Sequence, residues 1–455
     1  MISILKKLQL VDLNLINTKI SLKNGFIEAG ISIEANRINK IAKLPNMPKA
    51  LKTIDVKGNI VLPGLIDVHT HLRVLELSYK EDFNTGTCAA AAGGFTTVLD
   101  MPNTTPPTNT PERLKEKIQR AKDRVIVNVG FYAAFPKQLK QIVEMNRNGA
   151  IAFKVFLYHP ITELNVNCDE VLLKIFNSVK QLNRPIAVHA EEGEITKRLE
   201  ENLRKSGKSS LNHRLKVHSI KREVNAVQRV VNLAKKTGTH IHFCHISAAS
   251  SIKHIIRLKQ CITCETTPHH ILLTNSVLRK CGSIALMNPP LRSRLNTTRL
   301  WHALNKGQID ILASDHAPHA LQEKKNKNIW EVSPGIPGLE TTLPLMLTQV
   351  NKGRMPWGRL IQILATKPAE IFQLNRGFIK VGSAADLVIV DMKKEYKIDS
   401  SKFYSKAKYS PFDGQKVKGK PIKTFVNGRL VYDSGEIVAE PGSGTILTGS
   451  SNNCN

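Results

Sequence analysis

The sequence predicts an α/β chain: a (β/α)8 TIM-like barrel with a small β-sandwich domain built from both chain ends. Three observations predict it. Between residues 58 and 376, eight short apolar runs, each closing in polar residues, alternate with helix-length segments. Residues 1–57 and 377–436 carry strand-and-turn patterning instead. A length of 455 residues gives one large catalytic domain, a smaller one and ample core.

Taken in order, residues 1–57 predict small antiparallel strands at Leu8–Ile16, Gly25–Ile33 and Ile38–Leu44, with turns at Lys23-Asn24-Gly25 and Asn46–Pro48. The eight barrel runs are Ile60–Ile66, Thr96–Asp100, Val125–Phe131, Ala150–Leu157, Pro185–Val188, His240–Cys244, Cys261–Thr266 and Ile309–Ala313. Pro111–Arg124 and Asp169–Leu182 are examples of the helical segments between them. Ile379–Val390 and Val417–Tyr432 return to strand patterning, with Asn427-Gly428 as a hairpin turn, and join residues 1–57 in the small domain. The Gly/Ser/Thr/Asn-rich residues 437–455 are expected to form a disordered tail.

Hydrophobic residues at 41% and charged residues at 23% describe a soluble globular protein. No apolar stretch is long enough for a signal peptide or a membrane span, so no membrane association is expected. Seven scattered cysteines are too few and too irregular for a disulfide framework and point to a reducing, cytoplasmic setting. The net charge of +29 suits anionic partners or substrates. The positive residues are spread along the chain and aromatics make up only 5%, so no nucleic-acid binding is expected.

In a (β/α)8 barrel chemistry gathers where strands end, so the residues closing each run are the candidates. The first run closes in His69 and His71, which point the same way on an extended chain and make half of a transition-metal site. The fourth run carries Lys154 where a barrel strand should be apolar. His189 and His245 close the fifth and sixth runs, and Asp315 follows the eighth. Six such groups exceed one tetrahedral zinc with an open position and suit two metals sharing a bridge. A lysine ammonium is a poor ligand, whereas a carboxylated lysine offers two oxygens, one for each metal, and avoids burying a bare cation. Such a centre suits metal-assisted amide hydrolysis or its reverse, with Asp315 as ligand and proton shuttle.

Beyond the ligands, the chain carries Asp67-Val68-His69-Thr70-His71-Leu72-Arg73, Tyr79-Lys80-Glu81-Asp82-Phe83, Gly93-Gly94-Phe95-Thr96-Thr97 and Met101-Pro102-Asn103-Thr104. These are followed by Cys264-Glu265-Thr266-Thr267-Pro268-His269-His270, Met287-Asn288-Pro289-Pro290-Leu291-Arg292, Asp315-His316-Ala317-Pro318-His319 and Gly335-Ile336-Pro337-Gly338-Leu339-Glu340. In this order they resemble the cyclic amidohydrolases, and among them the dihydroorotase family of multifunctional pyrimidine enzymes and many microbes, from about residue 58 to 391. The resemblance implies two zinc ions, one held by His69, His71, carboxylated Lys154 and Asp315, the other by Lys154, His189 and His245. It implies that Arg73, Asn103 and His319 grip a substrate carboxylate, and that Asn288 with the backbone at Pro337 and Gly338 meets the ring amides. The implied reaction is the reversible closure of N-carbamoyl-L-aspartate to L-dihydroorotate plus water, in de novo pyrimidine synthesis. The implied partner is this small-molecule substrate, and a homodimer or an association with aspartate carbamoyltransferase stays open.

Some features depart from the family pattern. Val74-Leu75-Glu76-Leu77 follows Arg73 where the family usually has Glu-Pro-Gly or similar. Tyr158–Leu164 sits where a mobile loop covers the site in relatives. An extra metal at Cys244 and Glu265 is suggested by some relatives, but strand alternation turns Cys244 away from the face of His245, so it is read as packing. Cys261-Ile262-Thr263-Cys264 is likewise read as core, and His269, His270 and His316 as groups that orient neighbours by hydrogen bonds. Hydantoinase, dihydropyrimidinase and allantoinase share the metal ligands, but their substrates lack the ring carboxylate and would leave Arg73 without a counter-charge. A catalytically inactive scaffold is free to lose ligands, and here all six are present.

Overall fold

The computed structural model describes residues 10–22, 25–326 and 328–449, so the start of the first expected strand, most of the turn at Lys23-Asn24-Gly25 and residues 450–455 lie outside it. The N-terminal segment forms β1 (Val11–Leu22), β2 (Gly25–Glu34), β3 (Arg37–Ala42), β4 (Ala50–Asp55) and β5 (Ile60–Pro63). Alternation along β1 buries Leu13, Leu15 and Ile20 against Ile31, Ile33, Ile389 and Phe425, the core of the small domain. The strands here are not all antiparallel, because β4 and β5 both pair with β1 in parallel.

The barrel strands are β6 (Leu65–Thr70), β7 (Phe95–Asp100), β8 (Asn128–Ala134), β9 (Ala150–Phe156), β10 (Ile186–His189), β11 (Ile241–Phe243), β12 (Ile262–Thr266) and β13 (Ile311–Leu312). They lie side by side in chain order, each parallel to the next. A bridge between Thr70 and His316, with His71 N–H donating to His316 O at 2.8 Å, joins the two ends of the sheet at the C-terminal rim. The helices on the outside follow their local signals: Thr110 accepts from Arg113 N–H and Pro111 opens the helix Pro111–Lys122.

The expected first barrel run is in fact two strands. Ile60–Pro63 belongs to the small sheet, between β1 and β14 (Leu387–Lys397), and the barrel begins only at Leu65. Gly64 makes the crossing: a Cβ there would lie 2.2 Å from Thr96 Oγ1 and 2.7 Å from Asp386 Cβ. The change from small domain to barrel therefore falls at residue 64, not 58. The chain returns through β14, β15 (Lys416–Val426), β16 (Arg429–Asp433) and β17 (Glu436–Ile437), with Asn427-Gly428 turning between β15 and β16 at φ of 49° and 77°.

The expected disordered tail is also corrected, through Gly449. Strand β9 pairs with β8 only from Phe131 onward, and the tail takes the free position below: Val129 N–H donates to Thr445 O at 2.9 Å and Leu447 N–H to Val129 O at 2.8 Å. Ile446 and Leu447 pack against the barrel core. Gly444 passes so close that a Cβ would lie 2.2 Å from Val127 O. Composition alone missed this because backbone bonds, two aliphatic side chains and the Thr445 hydroxyl, which accepts from Asn427 Nδ2 at 2.9 Å, do the docking.

Candidate active site

The strand ends bring the predicted donors onto one rim. Asp67 in β6 accepts from His69 N–H at 3.0 Å and from Ser314 N–H at 3.1 Å, which pins β6 to the segment after β13. Asp315 turns inward at φ 47°, and its Oδ1 lies 3.3 Å from both His69 Nε2 and His71 Nε2. Across the rim, His189 Nδ1 lies 3.0 Å from His245 Nε2. Lys154 in β9 is buried, and its Nζ donates to Cys244 Sγ at 2.8 Å.

Each of three imidazoles is held from outside. His69 Nδ1 meets Glu265, His71 Nδ1 lies 2.7 Å from Asn103 Oδ1, and His189 Nε2 lies 2.7 Å from Glu191 Oε2. An outer nitrogen that donates to oxygen leaves the inner nitrogen bare, which is the orientation a metal requires. Burial above all depresses the basicity of His69, and of His71 and His245 strongly, so these rings are neutral at physiological pH. His245 Nδ1 is buried without a hydrogen-bond partner. Lys154 forms no ion pair among the described residues; its neighbours are the Cys244 thiol and the Phe156 ring, 4.8 Å from Nζ. Inward lone pairs, an orphaned ring nitrogen, a carboxylate and a buried lysine without an ion pair together fit a metal centre.

Cys244 packs in the barrel core, as the packing reading expects, and its Sγ also meets Lys154 Nζ. It follows β11, and His245 takes φ 35°, which breaks the strand alternation so that both side chains face inward. The donor atoms of His69, Cys244 and Glu265 lie within 4.8 Å of one another, as do those of His69, His71 and Asp315. Glu265 also lies 3.1 Å from His242 Nε2 through its second oxygen.

Beside the donors opens a cavity of about 300 Å³, lined by Arg73, Asn103, Asn288 and His319 together with the donor histidines and Asp315. Arg73 is buried; its Nε donates to Pro318 O at 3.0 Å and its Nη2 lies 2.9 Å from His319 Nε2. Burial, then the adjacent Arg73, push His319 down to about 3. Asn288 Oδ1 is buried and unpartnered. Pro337 and Gly338 do not line the cavity. Gly338 N–H is spent on His316 Nδ1 at 3.2 Å, and Pro334 and Gly335 form the wall instead. The loop residues Tyr158, His159 and Ile161 complete the mouth.

Of the remaining motif histidines, His270 bonds Thr267 Oγ1 and Pro289 O, and His316 lies 3.3 Å from Glu81, as orienting groups do. His269 Nε2 has no partner. Sequence reasoning gave Glu191 no role, although its spacing of two from His189 was a signal that both point to one side. Among the described residues no helix is long and apolar enough to cross a membrane.

Comparison with known proteins agrees with this geometry. Residues 60–431 match the amidohydrolase family. A dihydroorotase from Methanosarcina acetivorans is 35% identical over 452 residues, covering 96% of each chain. A dihydroorotase from Methanothermobacter thermautotrophicus is 37% identical over 418 residues, covering 90% of this chain and 93% of that one. The solved structure of an L-hydantoinase from Arthrobacter aurescens superposes with a TM-score of 0.92 at 33% identity, covering 96% of this chain and 100% of that one. Over most of its length, then, this chain belongs to the amidohydrolase family, and its relatives place it among the cyclic amidohydrolases.

Proposed function

We propose that this chain is a dihydroorotase, closing N-carbamoyl-L-aspartate to L-dihydroorotate and water, and reversing that step. The observation that carries the reading is Arg73, a buried guanidinium on the cavity wall that forms no ion pair with an acidic side chain among the described residues. A buried cation of this kind is costly unless a ligand supplies the counter-charge. The ring carboxylate of dihydroorotate would supply it, and the neutral His319 beside it adds a polar contact without competing for charge.

Two zinc ions would be held by His69, His71, Lys154 and Asp315 and by Lys154, His189 and His245, with Lys154 carboxylated; they would polarise the reacting carbonyl and supply a nucleophile at neutral pH. The chain's own groups do the rest. Arg73 and His319 hold the carboxylate, and the free Oδ1 of Asn288 is available to a ring N–H. In ring closure the ureido nitrogen attacks the carbon of the protonated side-chain carboxyl and gives up one N–H proton, and the carboxyl's hydroxyl leaves with that proton as water. Asp315 is placed to carry that proton from nitrogen to the departing oxygen, and in the opposite direction when the ring opens. The Nε2 atoms of His69 and His71, oriented by Glu265 and Asn103, face the same Asp315 oxygen, the grouping that a metal would draw together.

A hydantoin-type ring is the second reading, supported by the likeness to the L-hydantoinase. A panel of L-dihydroorotate, dihydrouracil, hydantoin and allantoin on zinc-reconstituted protein tests both. Turnover of dihydroorotate alone supports the proposal. Preference for an uncharged ring overturns it and leaves the cyclic amide chemistry in place.

A further inference from the structure

The wall of the cavity rests on a lysine that no step above uses. Lys324 ends the short helix Leu321–Lys324 and is 0% exposed. Its Nζ donates to Leu286 O at 2.8 Å, Gly335 O at 2.9 Å and Ser333 O at 3.1 Å. An ammonium has three hydrogens, and these acceptors use them all. The Tyr409 ring lies 5.9 Å from Nζ, Lys324 forms no ion pair among the described residues, and the charge that adds to the effect of burial is another cation, Arg214. Burial pushes the ammonium down to about 7, which marks how poorly it is compensated. A plug of the same shape needs only methionine, so the ammonium must act through its three bonds.

Those bonds reinforce a direct tie between two walls, in which Gly335 N–H donates to Leu286 O at 2.9 Å. Leu286 directly precedes Met287 and Asn288, and Ser333 and Gly335 flank Pro334; Met287, Asn288, Pro334 and Gly335 all line the cavity. Pro334 O in turn lies 3.1 Å from His319 Nε2. One ammonium therefore spans from the Asn288 side to the His319 side. Arg214 extends the brace by donating to Val332 O at 3.0 Å, and Ser283 Oγ fixes Lys324 itself through its carbonyl.

We propose that Lys324 is a positioning residue for substrate: its ammonium, together with the Gly335–Leu286 backbone bond, holds Asn288 at a set distance from the Pro334–Gly335–His319 wall, and hence governs the fit of the ring between them. Lys324 does not touch the ring. The inference deepens the reading above, and it rests on this cavity being the substrate site, whichever cyclic amide fills it.

Lys324→Met removes all three donors at nearly constant length, and Lys324→Gln keeps an amide donor. Both are compared with wild type on the cyclic amide that wild type turns over best, with zinc per chain counted for each. The expected result is a KM raised about tenfold or more in Lys324→Met and less in Lys324→Gln, with kcat within about threefold and zinc unchanged. An unchanged KM in Lys324→Met overturns the proposal. So does a loss of kcat or zinc as large as the change in KM, which would make Lys324 general scaffolding. If Lys324→Met does not fold, Lys324→Gln and Ser283→Ala, which keeps the ammonium but frees its backbone anchor, carry the test, and wild-type KM in both overturns it. Failure of the dihydroorotase reading shows separately, in the wild-type substrate panel.

Discussion

The two ends of the cavity are built by different rules. At the donor end, His69, Lys154 and His189 lie in β6, β9 and β10, and the outer nitrogens of His69, His71 and His189 are satisfied by Glu265, Asn103 and Glu191. At the anion end, Arg73, Asn288, Pro334 and His319 lie in loops, and the partners of Arg73 are a carbonyl and a neutral ring. Arg73, Val74 and Leu75 all take positive φ, of 62°, 31° and 54°. For a β-branched residue such as Val74 this conformation costs on the order of 1–3 kcal/mol, and Val74 N–H to Leu72 O at 2.7 Å helps to hold it. The donors sit in strands or just beyond their ends, as His71, His245 and Asp315 do, whereas the groups proposed to select the ring sit in loops. That division explains how relatives named for different rings share one fold.

The largest expected effect lies at the donor end. Lys154→Ala should lower kcat by about three orders of magnitude or more and take bound zinc from two per chain to one or none, with partial rescue by short carboxylic acids. Full activity in the variant would remove the bridge from the mechanism. At the anion end, Arg73→Gln should raise KM for dihydroorotate by about a hundredfold, equivalent to about 2.7 kcal/mol, with zinc content intact. Turnover of hydantoin should not fall in parallel; if it does, the two ends are not separable.

Asn103 is where the comparison sharpens. It lines the cavity, yet its Oδ1 is engaged by His71 Nδ1. Asn103→Ala should therefore weaken zinc at one site by about 10- to 100-fold as well as raise KM. A change in KM with unaltered zinc affinity would return Asn103 to the clamp alone.

The donor end was legible in the sequence because strand periodicity and barrel topology fix it: a lysine inside an apolar run and histidines closing others are visible without coordinates. What was not legible depended on single backbone angles and long-range pairing. His245 faces inward beside Cys244 because its φ of 35° breaks the strand alternation, which the sequence does not show. Pro334-Gly335 rather than Pro337-Gly338 forms the wall because His316 takes the Gly338 N–H. The split of Ile60–Ile66 between two sheets was marked by Pro63-Gly64, but the partner strand lies more than three hundred residues away, at Leu387–Val390.

The smallest effect separates the two ends by pH. His319 has its basicity lowered to about 3, against an ordinary value near 6.5 in the unfolded chain. Between those values the unfolded state binds a proton that the folded state does not, so unfolding free energy falls as pH drops from about 6.5 towards 3. The neutral His69, His71 and His245 contribute slopes of the same sign, but theirs should depend on metal, which competes with protons for the same nitrogens. Urea unfolding of the wild type and of His319→Asn across pH 4–6, with and without chelator, resolves the two. The variant should lose about one proton's worth of slope, roughly 1.4 kcal/mol per pH unit, whether or not chelator is present. A difference that vanishes on chelation would tie His319 to the metal end and join what the geometry keeps apart.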